Sequence, residues 1–282
     1  MNYLQILILA IVQGAAELLP VSSSAHVIVA EKLMGLDPTS PQLTFLLVML
    51  HTGTMFAVIA YFWKSWVATY FSSTQTFRAN ALYVVVATAM TGVVGLLLLQ
   101  LIKSAVAGNR PEFEIEQLFG NSKLMAVALA AAGILIIISS RFHERKEGKL
   151  SLFSALWIGA VQGLCLPFRG FSRSGATIST GIALGVARRR AEEFSFALAI
   201  VLTPVVIAKE AYRLYKTQAI TGSAIHSGEL LQLVAPSLLG MALSFLAGLL
   251  ALRWLSSWLE HGRWHFFGGY CLFASLVVLW VG

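Results

Sequence analysis

Residues 11 to 26 read Ile11-Val-Gln-Gly-Ala-Ala-Glu-Leu-Leu-Pro-Val-Ser-Ser-Ser-Ala-His26, and residues 160 to 177 read Ala160-Val-Gln-Gly-Leu-Cys-Leu-Pro-Phe-Arg-Gly-Phe-Ser-Arg-Ser-Gly-Ala-Thr177. The Val-Gln-Gly unit occurs in both stretches, and with one inserted residue Val21 to Ala25 aligns with Phe171 to Gly175. Each stretch is apolar but interrupted in its middle by Pro, Ser, Gly and ionisable residues. Pro20 keeps Leu19 out of helical angles, so each stretch reads as two half-helices with a turn between them.

The surrounding composition places these breaks in a membrane. Of the 282 residues 57% are apolar and 12% charged, with a formal net charge of +7. A soluble domain carries about 25% charged residues, and 20 basic and 13 acidic side chains cannot clothe a water-facing surface of this length. The chain is an integral membrane protein by composition. A disordered chain, a disulfide scaffold and a nucleic-acid binder are excluded, because the positive excess is dispersed through short hydrophilic gaps. Cys165 and Cys271 lie in apolar sequence far from one another and read as small packing residues.

Runs free of Asp, Glu, Lys and Arg cover 38 to 63, 79 to 102, 124 to 140, 230 to 252 and 264 to 282, each near or above the ~17 residues that cross a bilayer. A sixth span is read over 194 to 208, extended through Ala211, Tyr212, Leu214 and Tyr215 while Lys209 and Arg213 snorkel to the interface. The N-terminal apolar stretch has no Lys or Arg before it and runs straight into Glu17 and Pro20, which reads as retained structure rather than a signal peptide. Lys and Arg summed over alternate connections give 13 against 7. The positive-inside rule then sets the Arg141 to Lys149 loop in the cytoplasm and both termini outside. Trp63, Trp66, Trp254, Trp258 and Trp264, at span ends, read as an interfacial belt. Arg188, Arg189 and Arg190 read as a cytoplasmic anchor, and Glu112, Glu114 and Glu116 as a solvated loop face.

Three spans separate the two broken stretches, and an odd number turns the second copy upside down relative to the first. The expected fold is one all-α polytopic membrane domain over residues 1–282: six transmembrane helices plus two re-entrant helix-loop-helix segments in an inverted repeat, with repeat 1 over about 1–140 and repeat 2 over about 150–282. Irregular backbone at membrane depth is tolerated only where protein buries it or a polar cavity receives it, so the two breaks are expected to face each other near the midplane.

Chemistry concentrates in those breaks. Gln13 and Glu17 are four apart on one helical face. A carboxylate inside an apolar run costs several kcal/mol unless it is paired or wet, which makes Glu17 functional by default. Ser22, Ser23 and Ser24 open the next half-helix, where free N–H groups and the positive end of the dipole favour an anion. They also suit plain helix capping. His26 follows one turn later. In the second break Ser172, Ser174 and Thr177 supply hydroxyls and an N-cap, and Gly170 and Gly175 let the backbone turn. Arg173 offers a planar fork suited to phosphate or, alternatively, a partner for Glu17 across the repeat axis. Either role puts Arg173 and Glu17 in one cavity. Arg169 is a second phosphate ligand or a snorkelling residue, and His51, mid-span beside Gly53, is a wall residue more than a substrate contact. A carboxylate, a histidine, hydroxyls, helix N-termini and an arginine together suit phosphate-ester or diphosphate chemistry on a lipid.

Gln13-Gly-Ala-Ala-Glu17 followed by Leu19 to His26, and Gly170-Phe-Ser-Arg-Ser-Gly-Ala-Thr177, resemble the two signature motifs of the undecaprenyl-diphosphate phosphatases, the bacterial bacitracin-resistance enzymes. His51-Thr-Gly-Thr54 and Glu193-Phe-Ser-Phe196 extend the resemblance over most of the chain in matching order. The resemblance implies six spans with two re-entrant pairs and hydrolysis of undecaprenyl diphosphate to the monophosphate, recycling the lipid carrier for peptidoglycan synthesis. It also implies a bacterial inner membrane location and a site reached from the periplasmic face. By position it implies Glu17 as acid or base and metal ligand, Ser23 as candidate nucleophile, His26 as proton-transfer partner and Arg173 as phosphate clamp. Ser22, Ser172, Ser174 and Thr177 would complete the phosphate cradle. Serine and histidine both stay open as the attacking group. Gln13 stands where many members have Glu, so a divalent cation, Mg²⁺ or Ca²⁺, held by Glu17 and Gln13 would have one carboxylate fewer. Ala25 replaces a usual Gly, and Phe168-Arg169-Gly170 a usual Trp-Pro-Gly.

The expected partners are a polyprenyl diphosphate lipid and membrane lipids, with no nucleic acid, and a homodimer is a compatible assembly. The competing reading is a transporter or flippase for a lipid phosphate or small anion, since broken helices and inverted repeats also build transporters. A transporter needs no nucleophile, so Ser23 and His26 discriminate the two.

Overall fold

The computed structural model describes residues 1–37, 40–107, 121–143, 145, 147–168, 170–221 and 227–281. Arg169, Glu112, Glu114 and Glu116 lie outside the described residues. Within them all regular structure is helical. The first half holds α1 (Tyr3–Leu18), α2 (Ser23–Leu33), α3 (Pro41–Tyr70), α4 (Thr74–Ala107) and α5 (Ser122–Ser140). The second holds α6 (Leu152–Cys165), α7 (Arg173–Ala183), α8 (Arg188–Thr221), α9 (Ser227–Glu260) and α10 (Trp264–Val281).

Local sequence sets the helix ends that matter for the site. Asn2 and Gln5 form a capping box at the start of α1, and Leu19 adopts extended angles (φ −73°, ψ 153°) before Pro20, which ends that helix at Leu18. Ser151 and Ser154 form a box that starts α6. Ser172 caps α7 by accepting from the Gly175 amide at 3.2 Å. The first break turns differently: Ser22 precedes α2 at φ 65°, ψ 97° without a side-chain cap.

Five helices are long and apolar enough to cross a membrane, over Leu43–Tyr70, Thr74–Ala105, Ser122–Ser140, Val234–Glu260 and Trp264–Val281. They coincide with the five charge-free runs of the sequence. The expected sixth span falls in α8, a 34-residue helix with Pro204 inside it. Helices α1 and α6 have 16 and 14 residues, and at 1.5 Å per residue they reach only ~20–24 Å, short of the ~30 Å hydrocarbon core. Val85, Val93, Leu96, Leu97 and Leu101 of α4 point outward and exposed, a face that only lipid can cover. The chain is a multi-pass membrane protein.

Packing places the two broken stretches against long helices. Helix α1 lies on α9 and α6 on α4, while α2 touches α10 and α7 packs on α5; α3 packs on α9 and α8, and α5 on α10. Backbone contact is close in the first two pairs. A Cβ added at Gly14 would lie 2.7 Å from the Ser244 carbonyl oxygen, and one at Gly163 would lie 2.8 Å from that of Thr91. Leu18, Val21, Ala57, Leu129, Ile178 and Leu252 share one buried apolar core beside the breaks.

Three expectations about single residues are refined. Trp264 is not interfacial: it is fully buried, and its indole N–H reaches Ser139 Oγ at 3.1 Å and Ser179 Oγ at 3.2 Å. Cys165 and Cys271 are both free thiols, and Cys271 is buried with its Sγ 3.2 Å from the Pro20 carbonyl oxygen. Arg189 and Arg190 both reach Glu193 within α8, and Arg190 also bonds Thr69 of α3, so these two arginines tie the start of α8 to itself and to α3.

Candidate active site

The C-terminal half of α1 carries Gln13 and Glu17 on one face, and Gln13 Nε2 donates to Glu17 Oε2 at 3.2 Å. The chain then turns at Pro20 and re-enters helix at Ser23. That turn brings Ser23 Oγ within 2.6 Å of the same carboxylate oxygen, to which the hydroxyl donates. From the far half of the sequence, Arg173 at the start of α7 donates from Nη2 to Glu17 Oε1 at 3.0 Å. His51 of α3 completes the ring, with Nε2 3.8 Å from Glu17 Oε2 and Nδ1 2.8 Å from the Leu47 carbonyl oxygen. Arg173 is the partner of Glu17 across the two breaks, and the pair stands in the cavity described next.

A cavity of about 250 Å³ opens between the breaks. Glu17, Ser22, Ser23 and Ser24 line it from one side and Ser172, Arg173 and Ser174 from the other, with Gln162, Leu166, Phe168, Phe171 and Leu202 completing the wall. The N-terminal turns of α2 and α7 therefore face one space. Free amides and positive dipole ends of two helices, together with a guanidinium, favour an anion there. The apolar wall suits an attached hydrocarbon.

The remaining sequence-derived residues sit around this space in distinct ways. Ser22 Oγ lies 3.3 Å from Ser24 Oγ, and Ser174 Oγ donates to the Leu19 carbonyl at 3.2 Å, tying the second break to the first. Thr177 is fully buried behind the cavity, bonded to the Arg173 carbonyl at 2.8 Å and to Ser195 Oγ at 2.6 Å. His26 is brought to Ser22 but not to Ser23 or Glu17: its Nδ1 lies 2.8 Å from the Ser22 carbonyl oxygen and its Nε2 2.7 Å from Tyr270 Oη. The two rings stack with centroids 5.6 Å apart.

Sequence reasoning did not single out Tyr270, which sits in an unbroken apolar run and carries no motif. It noted Gln162 only as part of the repeat. The equivalence of Gln162 with Gln13 was the signal that could have marked it.

A divalent ion held by Glu17 and Gln13 would need oxygens to spare. Glu17 is the one carboxylate among the described cavity-lining residues. Its Oε1 is taken by Arg173 and its Oε2 by Ser23 and by Gln13, which turns its amide nitrogen toward the site. Among the described residues no three His, Cys, Asp or Glu converge to hold a metal. A divalent ion such as Mg²⁺ leans on one or two carboxylates together with substrate phosphates, so here Glu17 would be its one protein carboxylate and would be shared with Arg173.

These features define a class: an all-α multi-pass membrane protein whose two interrupted helices close a hydroxyl, a carboxylate and a guanidinium around one polar cavity. The family described as bacitracin resistance protein BacA matches residues 6–277, and the chain belongs to it. The chain is 66% identical over 279 residues to undecaprenyl-diphosphatase 2 of Acinetobacter baylyi, covering 99% of this chain and 98% of that protein. It is 35% identical over 286 residues to undecaprenyl-diphosphatase 2 of Burkholderia thailandensis and 34% identical over 286 residues to undecaprenyl-diphosphatase 1 of Burkholderia pseudomallei, each covering 96% of this chain and 94% of the relative.

Proposed function

We propose that this chain is a membrane phosphatase that hydrolyses undecaprenyl diphosphate to undecaprenyl phosphate and inorganic phosphate, recycling the lipid carrier for peptidoglycan synthesis. The observation that carries this reading is the unbroken series from Ser23 Oγ through Glu17 to Arg173, at 2.6 and 3.0 Å. Membership of the family and the names of its close relatives support the substrate.

Ser23 attacks the terminal phosphorus as Glu17 takes its proton, and the anhydride bond breaks to release the lipid monophosphate. Glu17 passes its proton to the departing phosphate. Water then attacks the phosphoserine, gives a proton to Glu17, and Ser23 Oγ recovers that proton as inorganic phosphate leaves. Arg173 has donors enough for both Glu17 and a phosphate oxygen, and the amides of the two helix N-termini with Ser22, Ser172 and Ser174 cradle the developing charge. Thr177 supports the cradle by fixing the Arg173 carbonyl. The Ser23–Glu17 bond favours serine over histidine as the attacking group, because both His26 nitrogens have other partners. His26 then acts in proton transfer only through the Ser22 turn that it holds. Transport of a lipid phosphate would need the cavity but no hydroxyl held against a carboxylate. No step is routed through a metal.

The same reading takes α8 as a sixth span and the α1–α2 and α6–α7 pairs as re-entrant segments of an inverted repeat. The short lengths of α1 and α6 support it, as do pairings that exchange when the halves are swapped: α1 on α9 answers α6 on α4, and α2 on α10 answers α7 on α5. The distribution of Lys and Arg supports a cytoplasmic loop between α5 and α6, and family membership supports a bacterial inner membrane with the cavity reached from the periplasmic face.

Phosphate release from a defined polyprenyl diphosphate by purified protein in detergent tests the function, with and without Mg²⁺ or Ca²⁺. Wild type is expected to turn over, Ser23→Ala to fall to background, and Glu17→Gln to lose about 10²- to 10⁴-fold in kcat, the usual contribution of a general base. Folded wild type without turnover in any of these conditions would sink the proposal.

A further inference from the structure

Gln162 stands in α6 where Gln13 stands in α1, but its amide is held in another way. The residue is 1% exposed and lines the cavity. Its Nε2 lies 3.1 Å from Thr91 Oγ1. Thr91 has one hydroxyl proton, directed at the carbonyl oxygens of Ala87 at 2.8 Å and Gly159 at 2.9 Å. With that proton committed to a carbonyl, Thr91 Oγ1 can only accept from Gln162, and this fixes which way the amide points. The carbonyl oxygen Oε1 is then left without a partner among the described residues.

A buried acceptor without a donor among the described residues is one that a water molecule or a ligand group completes. The ionised oxygens that dominate in the diphosphate at neutral pH are themselves acceptors. Ser23 gives its one hydroxyl proton to Glu17, and the Arg173 donors left over from Glu17 serve the phosphate oxygens. The donor that the reaction does bring is water. We propose that Gln162 is a further catalytic residue, whose Oε1 accepts a hydrogen bond from the water molecule that hydrolyses phosphorylated Ser23; this rests on the hydrolytic reading above. In that step the water oxygen forms a bond to phosphorus and the bond from phosphorus to Ser23 Oγ breaks. Glu17 takes the water proton and returns it to Ser23 Oγ. Gln162 gains and loses no proton: its lone pair orients one O–H so that the water's own lone pair faces phosphorus.

The test is rapid-quench kinetics on the purified full chain, with polyprenyl diphosphate labelled in its terminal phosphate, comparing wild type with Gln162→Met, Gln162→Glu and Thr91→Val. Gln162→Met keeps the side-chain length but removes the acceptor. It is expected to lower kcat by about 100-fold, the usual cost of misplacing a reactant, with KM falling in step so that kcat/KM holds, and labelled phosphoserine accumulating at Ser23. Gln162→Glu restores an acceptor and part of the rate. Thr91→Val releases the amide and slows the same step, which keeps the test decisive should Gln162→Met fail to fold. Wild-type dephosphorylation in Gln162→Met, or slow turnover without accumulated phosphoserine, overturns the proposal. So does a change confined to the Mg²⁺ dependence, which would make Oε1 a cation ligand. Full activity in Ser23→Ala would bring down the phosphoserine reading itself, whereas an inactive Ser23→Ala beside a normal Gln162→Met removes only the role of Gln162.

Discussion

Ser22 is the one described non-glycine residue at positive φ, at 65°, and such a conformation costs ~1–3 kcal/mol unless its surroundings enforce it. The enforcement comes from His26. Its Nδ1–H donates to the Ser22 carbonyl, which leaves Nε2 as the acceptor for the Tyr270 hydroxyl. The turn that sets Ser23 against Glu17 is thus tied to α10, far away in sequence. Tyr270→Phe removes one hydrogen bond, and a loss of about 1 kcal/mol is expected in thermal denaturation. A double-mutant cycle with His26→Ala checks it, and strictly additive effects would show that the two side chains are not coupled. Arg173 faces a different demand, because it serves a carboxylate and a phosphate at once. Arg173→Lys keeps the charge but loses the fork, and kcat/KM is expected to fall by about 100-fold, comparable to losing one oxyanion donor. Arg173→Ala also strands the Glu17 charge, at a cost of ~3 kcal/mol in stability measured by denaturation in detergent.

At the scale of elements, two interrupted helices survive in a membrane because each backs tightly onto a long one. Gly14 and Gly163 make that approach possible, with carbonyl oxygens of α9 and α4 less than 3 Å from where a Cβ would stand. Gly163→Val therefore has to push α6 off α4, and a destabilisation of ~1–3 kcal/mol is expected from such overpacking. Unchanged melting would refute the close contact. The element ends were legible because their causes are local: Pro20 stops α1, and Ser172 caps α7. Trp264 was misread for the opposite reason. Its place at a span end indicates depth, whereas its burial depends on Ser139 and Ser179 arriving from α5 and α7.

For the whole molecule, the asymmetry of Lys and Arg predicts a cytoplasmic loop between α5 and α6 and external termini. An impermeant maleimide checks this with single cysteines placed at the exposed positions Glu147 and Tyr3, in a chain carrying Cys165→Ser and Cys271→Ser. Tyr3→Cys is expected to label in intact spheroplasts and Glu147→Cys only after lysis; the reverse pattern would invert the topology.

The sequence by itself determined the membrane environment, the five long spans, the two interruptions and the residue types gathered in them. These follow from composition, run length and the local rules for proline and serine, which act over a few residues. Only the tertiary structure decided which of those residues meet. Glu17 pairs with Arg173 across 156 positions, His26 turns away to Tyr270, Thr177 retreats behind the cavity, and Gln162 keeps a carbonyl oxygen with no donor among the described residues. The physical reason is that a hydrogen bond depends on where two helices cross, and crossings are set by packing between segments that carry no record of each other in the linear chain.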